Sequence, residues 1–280
     1  MEVTPSNSEL ISSFVNNRRA RGLAMTTCKF YTGKLTRFEG LAGQPLLSLD
    51  NDAVAEHLFN LPCRPGGKQA YLRALKAFYF WAEERGLIER NPCNRVQIKA
   101  PKPLRPAVRV TDLPRLLSAC ELTRDQLVVA MLTDTGLRLS ELAGIQPHDL
   151  DLERSTITVW GKGAKQRIVR YGPTTGDLLD RWLTERPNVQ TLLVLTARGI
   201  ASMLNRLQTQ TGIKCNAHAF RRTFATESVR NGLNVFYVQS LLGHSSLTMT
   251  RIYAEQVSSE DAIKAYIPIV TGGREDQEIV

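Results

Sequence analysis

The feature that most limits how this chain can fold is an eleven-residue stretch, KAPKPLRPAVR from Lys99 to Arg109, which holds three prolines and no acidic group. Each proline fixes its own φ and lacks the N–H that a helix or a sheet ladder needs, so neither element can run through it. The stretch therefore reads as a stiff interdomain linker, and its charge suits a path along phosphates. It divides 280 residues, 42% of them apolar and 22% charged, into two parts each long enough for a core of its own. The expected layout is a helical domain over 1–98, the basic linker over 99–109, a second domain over 110–270 and a polar, flexible tail over 271–280.

The formal charge of +9 is unevenly spread: residues 1–107 carry 16 Lys and Arg against 9 Asp and Glu, whereas the remainder carries 20 against 18. The first part is thus expected to grip a polyanion, and the second to use its basic residues locally. No run approaches the roughly 18 apolar residues of a membrane span. The start, MEVTPSNSEL, lacks the apolar core of a signal peptide, so the expected setting is the cytoplasm, in association with the nucleoid, and no membrane. Cys28, Cys63, Cys93, Cys120 and Cys215 are scattered, without a CxxC pair or a histidine at ligand spacing, and are read as reduced and mostly buried, with no metal.

Apolar periodicity predicts four helices before the linker: one from about Ser8 to Gly22, one from Thr26 to Glu39 ending at Gly40, one capped by Asp50 or Asn51 and running to about Leu61, and the longest after Gly66-Gly67, ending at Gly86. Beyond Thr111 helices dominate again, with one interruption. STITVW (Ser155 to Trp160) and RIVRY (Arg167 to Tyr171) are β-prone and flank GKGAKQ, the pattern of a β-hairpin. Further helices are expected at about Thr174–Glu185, Ile200–Gln210, Ala219–Arg230, Val235–Leu242 and Leu247–Glu255, followed by an apolar segment, AIKAYIPIV.

Six residues of the second part share one chemistry: Arg138, Lys162, His218, Arg221, His244 and Tyr253, separated by 24, 56, 3, 23 and 9 residues. Singly, each has an ordinary structural explanation: a turn arginine, a hairpin-tip lysine, a helix start and its first exposed turn, a helix end, a rim aromatic. Together, every one of these types can bind or act on a phosphodiester, and none is a carboxylate that would bring in a metal.

The boxes around them resemble those of the tyrosine recombinase, or phage integrase, family, in a Xer-like or small mobile-element form. That family's catalytic domain carries TGLRxSEL, GKGxKxR, HxLRxTFAT and LLGHSS, then a tyrosine nine residues beyond the last histidine. This chain has TGLRLSEL, GKGAKQR, HAFRRTFAT, LLGHSS and Tyr253 in that order. It departs at Phe220, where Leu is usual, at Arg222, where many members have His, and in IVRYGP, where the second strand usually ends VPL. No departure removes a catalytic group.

The resemblance implies a mainly α fold with a small β-hairpin or sheet, built as an N-terminal helical core-binding (SAM-like) domain and a C-terminal tyrosine-recombinase catalytic domain, closing as a C-shaped clamp on duplex DNA. It implies site-specific strand exchange through a 3′-phosphotyrosine and a Holliday junction, with neither metal nor ATP and no other cofactor. Arg138 and Arg221 would hold the phosphate, and His218 and His244 would add donors or take a proton. Lys162 would be the general acid, with Lys165 as its rival in the same turn, and Tyr253 the nucleophile. Glu141 would orient a neighbouring donor.

The implied partners are double-stranded recombination sites and three further copies, giving a tetramer on two sites. The segment around Ile263, Tyr266, Ile267 and Ile269 either docks on the neighbouring protomer or packs on its own domain. Lys68, Arg73, Lys76, Lys99, Lys102, Arg105, Lys165 and Arg222 are candidate DNA contacts; for Lys68, Arg73 and Lys76 a solvated polar face explains the sequence equally well. Lambda-type integrases carry an additional N-terminal module that this layout is expected to lack. Alternatives are a type IB topoisomerase, which uses the same chemistry without exchanging partners, and a non-catalytic DNA-binding relative.

Overall fold

The computed structural model describes residues 5–100, 106–161, 166–187 and 189–243. The chain divides into two compact units, Met1–Leu104 and Arg105–Val280.

The first unit is helical: α1 (Asn7–Ala20), α2 (Met25–Ala42), α3 (Asn51–Asn60) and α4 (Pro65–Glu84). Ser6 starts α1 with a capping box, its hydroxyl accepting from the Glu9 N–H while the Glu9 carboxylate accepts from the Ser6 N–H. The Asp50 side chain caps α3 by accepting from the Ala53 N–H at 2.8 Å. Aromatic rings make the core, with Phe14 edge-on to Tyr31, Phe78 and Trp81 at centroid distances of 5.3 to 5.7 Å.

Two boundaries differ from the sequence expectation. Helix α2 passes through Gly40 and ends at Gly43, which takes φ +64°, because the glycine that stops a helix is the one whose backbone turns left-handed. Helix α4 starts before Gly66-Gly67, since Pro65 occupies its first turn, where the missing N–H has no cost.

The second unit contains α5 (Leu113–Ser118), α6 (Thr123–Thr135), α7 (Leu139–Gly144), α8 (Pro173–Glu185), α9 (Ala197–Thr211), α10 (Ala217–Arg230) and α11 (Val235–Leu242), with β1 (Leu150–Asp151), β2 (Thr156–Trp160) and β3 (Gln166–Arg170). The expected hairpin is extended by β1 into an antiparallel three-stranded sheet of order β1-β2-β3. Helix α6 is apolar all round from Leu127 to Leu132 and is correspondingly buried, with α8 and α10 packed on it. The expected helix at Leu247–Glu255 and the apolar segment after it lie outside the described residues. Among those described, no helix is long and apolar enough to cross a membrane. All five cysteines are free thiols, and all but Cys63 are buried.

Gly136 fixes the turn between α6 and α7. It caps α6 at φ +58°, and a Cβ added there would lie 2.6 Å from Phe224 Cδ1 and 2.8 Å from Leu242 Cδ2. Strain and overpacking then act together, so Gly136→Ala is expected to destabilise by about 2–4 kcal/mol, read from urea unfolding. A loss under about 1 kcal/mol would contradict the close approach of α10 and α11 to this turn.

Candidate active site

The site is built around the C-terminal end of α11. A helix leaves its last four carbonyls without intrahelical donors, and its dipole makes that end attractive to cations. Gly243, at φ +62°, turns its own N–H back to the Gln239 and Ser240 carbonyls. The next three carbonyls are met by three arginines from three different elements. Arg167 on β3 donates through Nε to Leu241 O at 2.6 Å, Arg221 on α10 through Nη2 to Leu242 O at 2.5 Å, and Arg138 before α7 through Nη2 to Gly243 O at 3.1 Å. Consecutive carbonyls thus draw three guanidiniums into one place.

Arg221 is 3% exposed and also donates through Nη1 to Gly136 O at 2.6 Å. Its rigid fork spans two elements, which a lysine ammonium cannot do. Arg138 is the N-cap residue of α7, with its side chain 38% exposed. Glu141, one turn on, closes half of a capping box by accepting from the Arg138 N–H at 2.8 Å with Oε2, and takes Arg138 Nη1 at 2.8 Å with Oε1. Arg167 reaches the same carboxylate at 3.1 Å through Nη1 and 2.8 Å through Nη2. Burial alone would push the Glu141 carboxyl up, but hydrogen bonds from Arg167, then from the Arg138 backbone and side chain, outweigh it and hold it down at about 2.

His218 is exposed at the second position of α10, whose first turn is capped by Asn216 accepting from the Ala219 N–H. Arg221, one turn later, is buried, so the i, i+3 pair runs from surface to interior. Arg222 donates through Nε and Nη2 to Pro106 O at 3.2 and 2.8 Å, and Thr223 Oγ1 donates to Val108 O at 2.7 Å, so the end of the linker is tied to the helix that carries Arg221. Lys162, Lys165, His244, Tyr253, Lys102 and Arg105 lie outside the described residues. Among those described, no group of three His, Cys, Asp or Glu is placed to hold a metal ion.

A profile described as the phage integrase family matches residues 107–260, more than half of the chain. The chain belongs to the phage integrase family. It is 30% identical over 264 residues to tyrosine recombinase XerA of Saccharolobus solfataricus, covering 90% of each protein. It is also 30% identical to tyrosine recombinase XerD of Listeria monocytogenes, covering 89% of this chain and 94% of that one. Its fold is similar to that of a lambda integrase chain solved as a dimer bound to a COC′ core site, with a TM-score of 0.76 at 16% identity, covering 86% of this chain and 96% of that one.

In this family member the N-terminal candidates fall on α4, where 100° per residue puts Lys68, Arg73 and Lys76 within an arc of about 140°. Lys68 Nζ donates to Phe59 O and lies 5.2 Å from the centre of the Phe59 ring, and the Arg73 guanidinium lies 4.9 Å from that of Phe30. Rings beneath the cations limit their rotamers, and Arg73 is exposed. Lys76 borders a groove with Arg18, Tyr31 and Phe80, and Lys99 is exposed.

The residue for which sequence reasoning found no role is Arg167. The signal was the alternation of β3: Arg167 pairs with Val159 and shares a face with Val169, which pairs with Ile157, and those three aliphatic partners are buried. An arginine on the inward face of a strand needs a partner, and it has Glu141.

The depressed Glu141 pKa makes a pH prediction. A carboxyl held at about 2 against an ordinary value of 4.5 stabilises the fold fully above pH 4.5 and loses that contribution as pH falls toward 2. The amount is about 3 kcal/mol. Chemical unfolding at pH 5 and pH 3 should therefore show a smaller loss of stability in Glu141→Gln than in the wild type. Equal losses would mean that this carboxylate is not held by the two arginines.

Proposed function

We propose that this chain is a site-specific DNA recombinase that cleaves one strand at each site with Tyr253, holds the cut end as a 3′-phosphotyrosine and rejoins it to a partner strand through a Holliday junction. The observation that carries this reading is the convergence of Arg138 and Arg221 on adjacent carbonyls, inside the family-matched region. A phosphodiester repels nucleophiles. Permanently charged, planar donors held in place neutralise its non-bridging oxygens and gain strength as charge builds toward the transition state.

In this reading His218 adds a donor or takes the tyrosine proton from the rim of the same helix, and His244 completes the ring of donors. Tyr253 has an ordinary pKa near 10, so the positive site must promote loss of its proton before it attacks. Lys162, rather than Lys165, protonates the departing 5′-hydroxyl. The phosphotyrosine conserves the energy of the broken bond, so rejoining needs no ATP, and these side chains perform each step without a metal.

Duplex DNA is the partner, gripped mostly through phosphates by Lys68, Arg73, Lys76, Lys99, Lys102, Arg105 and Arg222. Lambda integrase, whose fold this chain shares, is a dimer on its core site; here the working form is a tetramer on two sites, acting at the nucleoid. The test is to incubate the protein in EDTA with plasmids carrying two, one or no candidate sites from its own genomic surroundings. Recombinant joints that need two sites are expected. Relaxation of a plasmid without sites, and no joints, would instead assign the chain to the type IB topoisomerase class.

A further inference from the structure

We infer that Arg167 is a positioning residue for strand cleavage, which balances the charge of Glu141 so that the charge of Arg138 remains available to the phosphate. The inference rests on the recombinase reading above.

Arg167 stands on the inward face of β3, with its side chain 10% exposed, and its Nη1 would lie 3.2 Å from a Cβ built on Gly243, so the guanidinium is seated directly against that glycine. A guanidinium withdrawn from water must be paired. Arg167 takes both oxygens of Glu141, at 3.1 and 2.8 Å, and also donates through Nε to Leu241 O at 2.6 Å, at the α11 end that precedes His244 and Tyr253 in the chain. Glu141 is 5% exposed and is shared: one carboxylate serves two guanidiniums and the Arg138 N–H.

The three side chains together carry a formal charge of +1. Remove Arg167 and the sum falls to zero, with Glu141 left facing Arg138 alone in a setting where water screens little. The Arg138 fork would then close on the carboxylate with more of its donors. Arg138 would keep its own charge but have it offset by the carboxylate, and would have fewer donors free to turn to a phosphate, although nothing that touches the DNA had been altered. Removing the carboxylate as well should undo the damage, because the excess negative charge goes with it. That reciprocal behaviour separates charge balance from a merely structural role of Arg167, which a second substitution could only worsen.

The experiment measures the single-turnover rate of covalent adduct formation at saturating protein, and DNA affinity separately, for the wild type, Arg167→Gln, Glu141→Gln and the double variant, all with thermal melts. Arg167→Gln is expected to slow adduct formation by about 10²-fold, the scale of a misplaced catalytic group, with affinity within about threefold of the wild type. Adding Glu141→Gln is expected to recover at least about tenfold of that loss. If Arg167→Gln is unfolded at the assay temperature, Arg167→Lys carries the test, since it keeps the charge and should stay within about tenfold of the wild type.

A wild-type rate in Arg167→Gln overturns the inference, as does a loss that Glu141→Gln fails to relieve, or an equally deep loss in folded Arg167→Lys. Each of these leaves the recombinase reading standing. A wild type that forms no adduct on specifically bound DNA removes that reading and the inference with it.

Discussion

Tyr253→Phe is expected to abolish the covalent protein–DNA adduct, with the cleavage rate reduced by at least about 10⁴-fold, the scale of removing an enzyme's nucleophile. The substitution deletes one oxygen and keeps the ring, so DNA affinity should stay within about threefold of the wild type. That separation is the point of the variant. In the proposed cleavage step the phenolic oxygen is the atom that forms the new bond to phosphorus while the 5′-oxygen leaves, whereas affinity is expected from lysines and arginines spread over both units. Adducts are counted on denaturing gels with a nicked duplex that traps the cleaved state, and affinity is read by fluorescence anisotropy. A Tyr253→Phe protein that still cleaves at a tenth of the wild-type rate would place the nucleophile elsewhere. One that loses binding in parallel would make Tyr253 part of the DNA grip.

Arg221→Ala should strike activity and stability together. Deleting a donor aimed at developing charge costs about 10²–10³ in rate. The structural loss arises because Arg221 is almost wholly buried and donates at once to Gly136 O and Leu242 O, which join the α6–α7 turn to the end of α11. Two buried carbonyls left without donors cost about 2–5 kcal/mol. Arg221→Lys retains the charge but reaches one carbonyl at most, so it should recover part of the stability and little of the rate. Urea unfolding and single-turnover cleavage measure the two effects independently. Full stability in Arg221→Ala would show that the turn and α11 do not depend on this guanidinium. A normal rate in a folded Arg221→Ala would remove it from the phosphate site.

Much of this arrangement was legible in the sequence, where local rules and tertiary structure agree. Helix α11 has the predicted bounds, Val235–Leu242, because Asn234 caps its start and Gly243 ends it at positive φ, and both signals are local. The turn before Arg138 was equally plain from Gly136. Strand β1 was not legible: it is two residues long, too short to show alternation, and it exists only because Leu150 and Asp151 find Ile157 and Thr156. Gly40 misled for a related reason. Glycine permits a helix to stop without compelling it, and α2 runs on through Ala42, which packs against the core, to Gly43.

The candidate site divides along the same line. Residue types and box spacings singled out Arg138, His218 and Arg221 as candidates, since both are what the proposed phosphate chemistry would constrain. They could not expose Arg167, whose role depends on a carboxylate 26 positions earlier in the chain and a carbonyl 74 positions later. Nor could they show that Arg222 turns to the linker carbonyl of Pro106, 116 residues before it. An arginine's partner is chosen by the fold.

Covalent chemistry at one tyrosine is tested by isolating the adduct formed by the wild-type protein in EDTA, digesting it with protease and nuclease, and identifying the modified peptide by mass spectrometry. A nucleotide joined through its 3′-phosphate to the peptide containing Tyr253 is expected, with a free 5′-hydroxyl on the other side of the cut. A phosphate joined to any other residue, or a 5′-phosphate linkage, would contradict that chemistry.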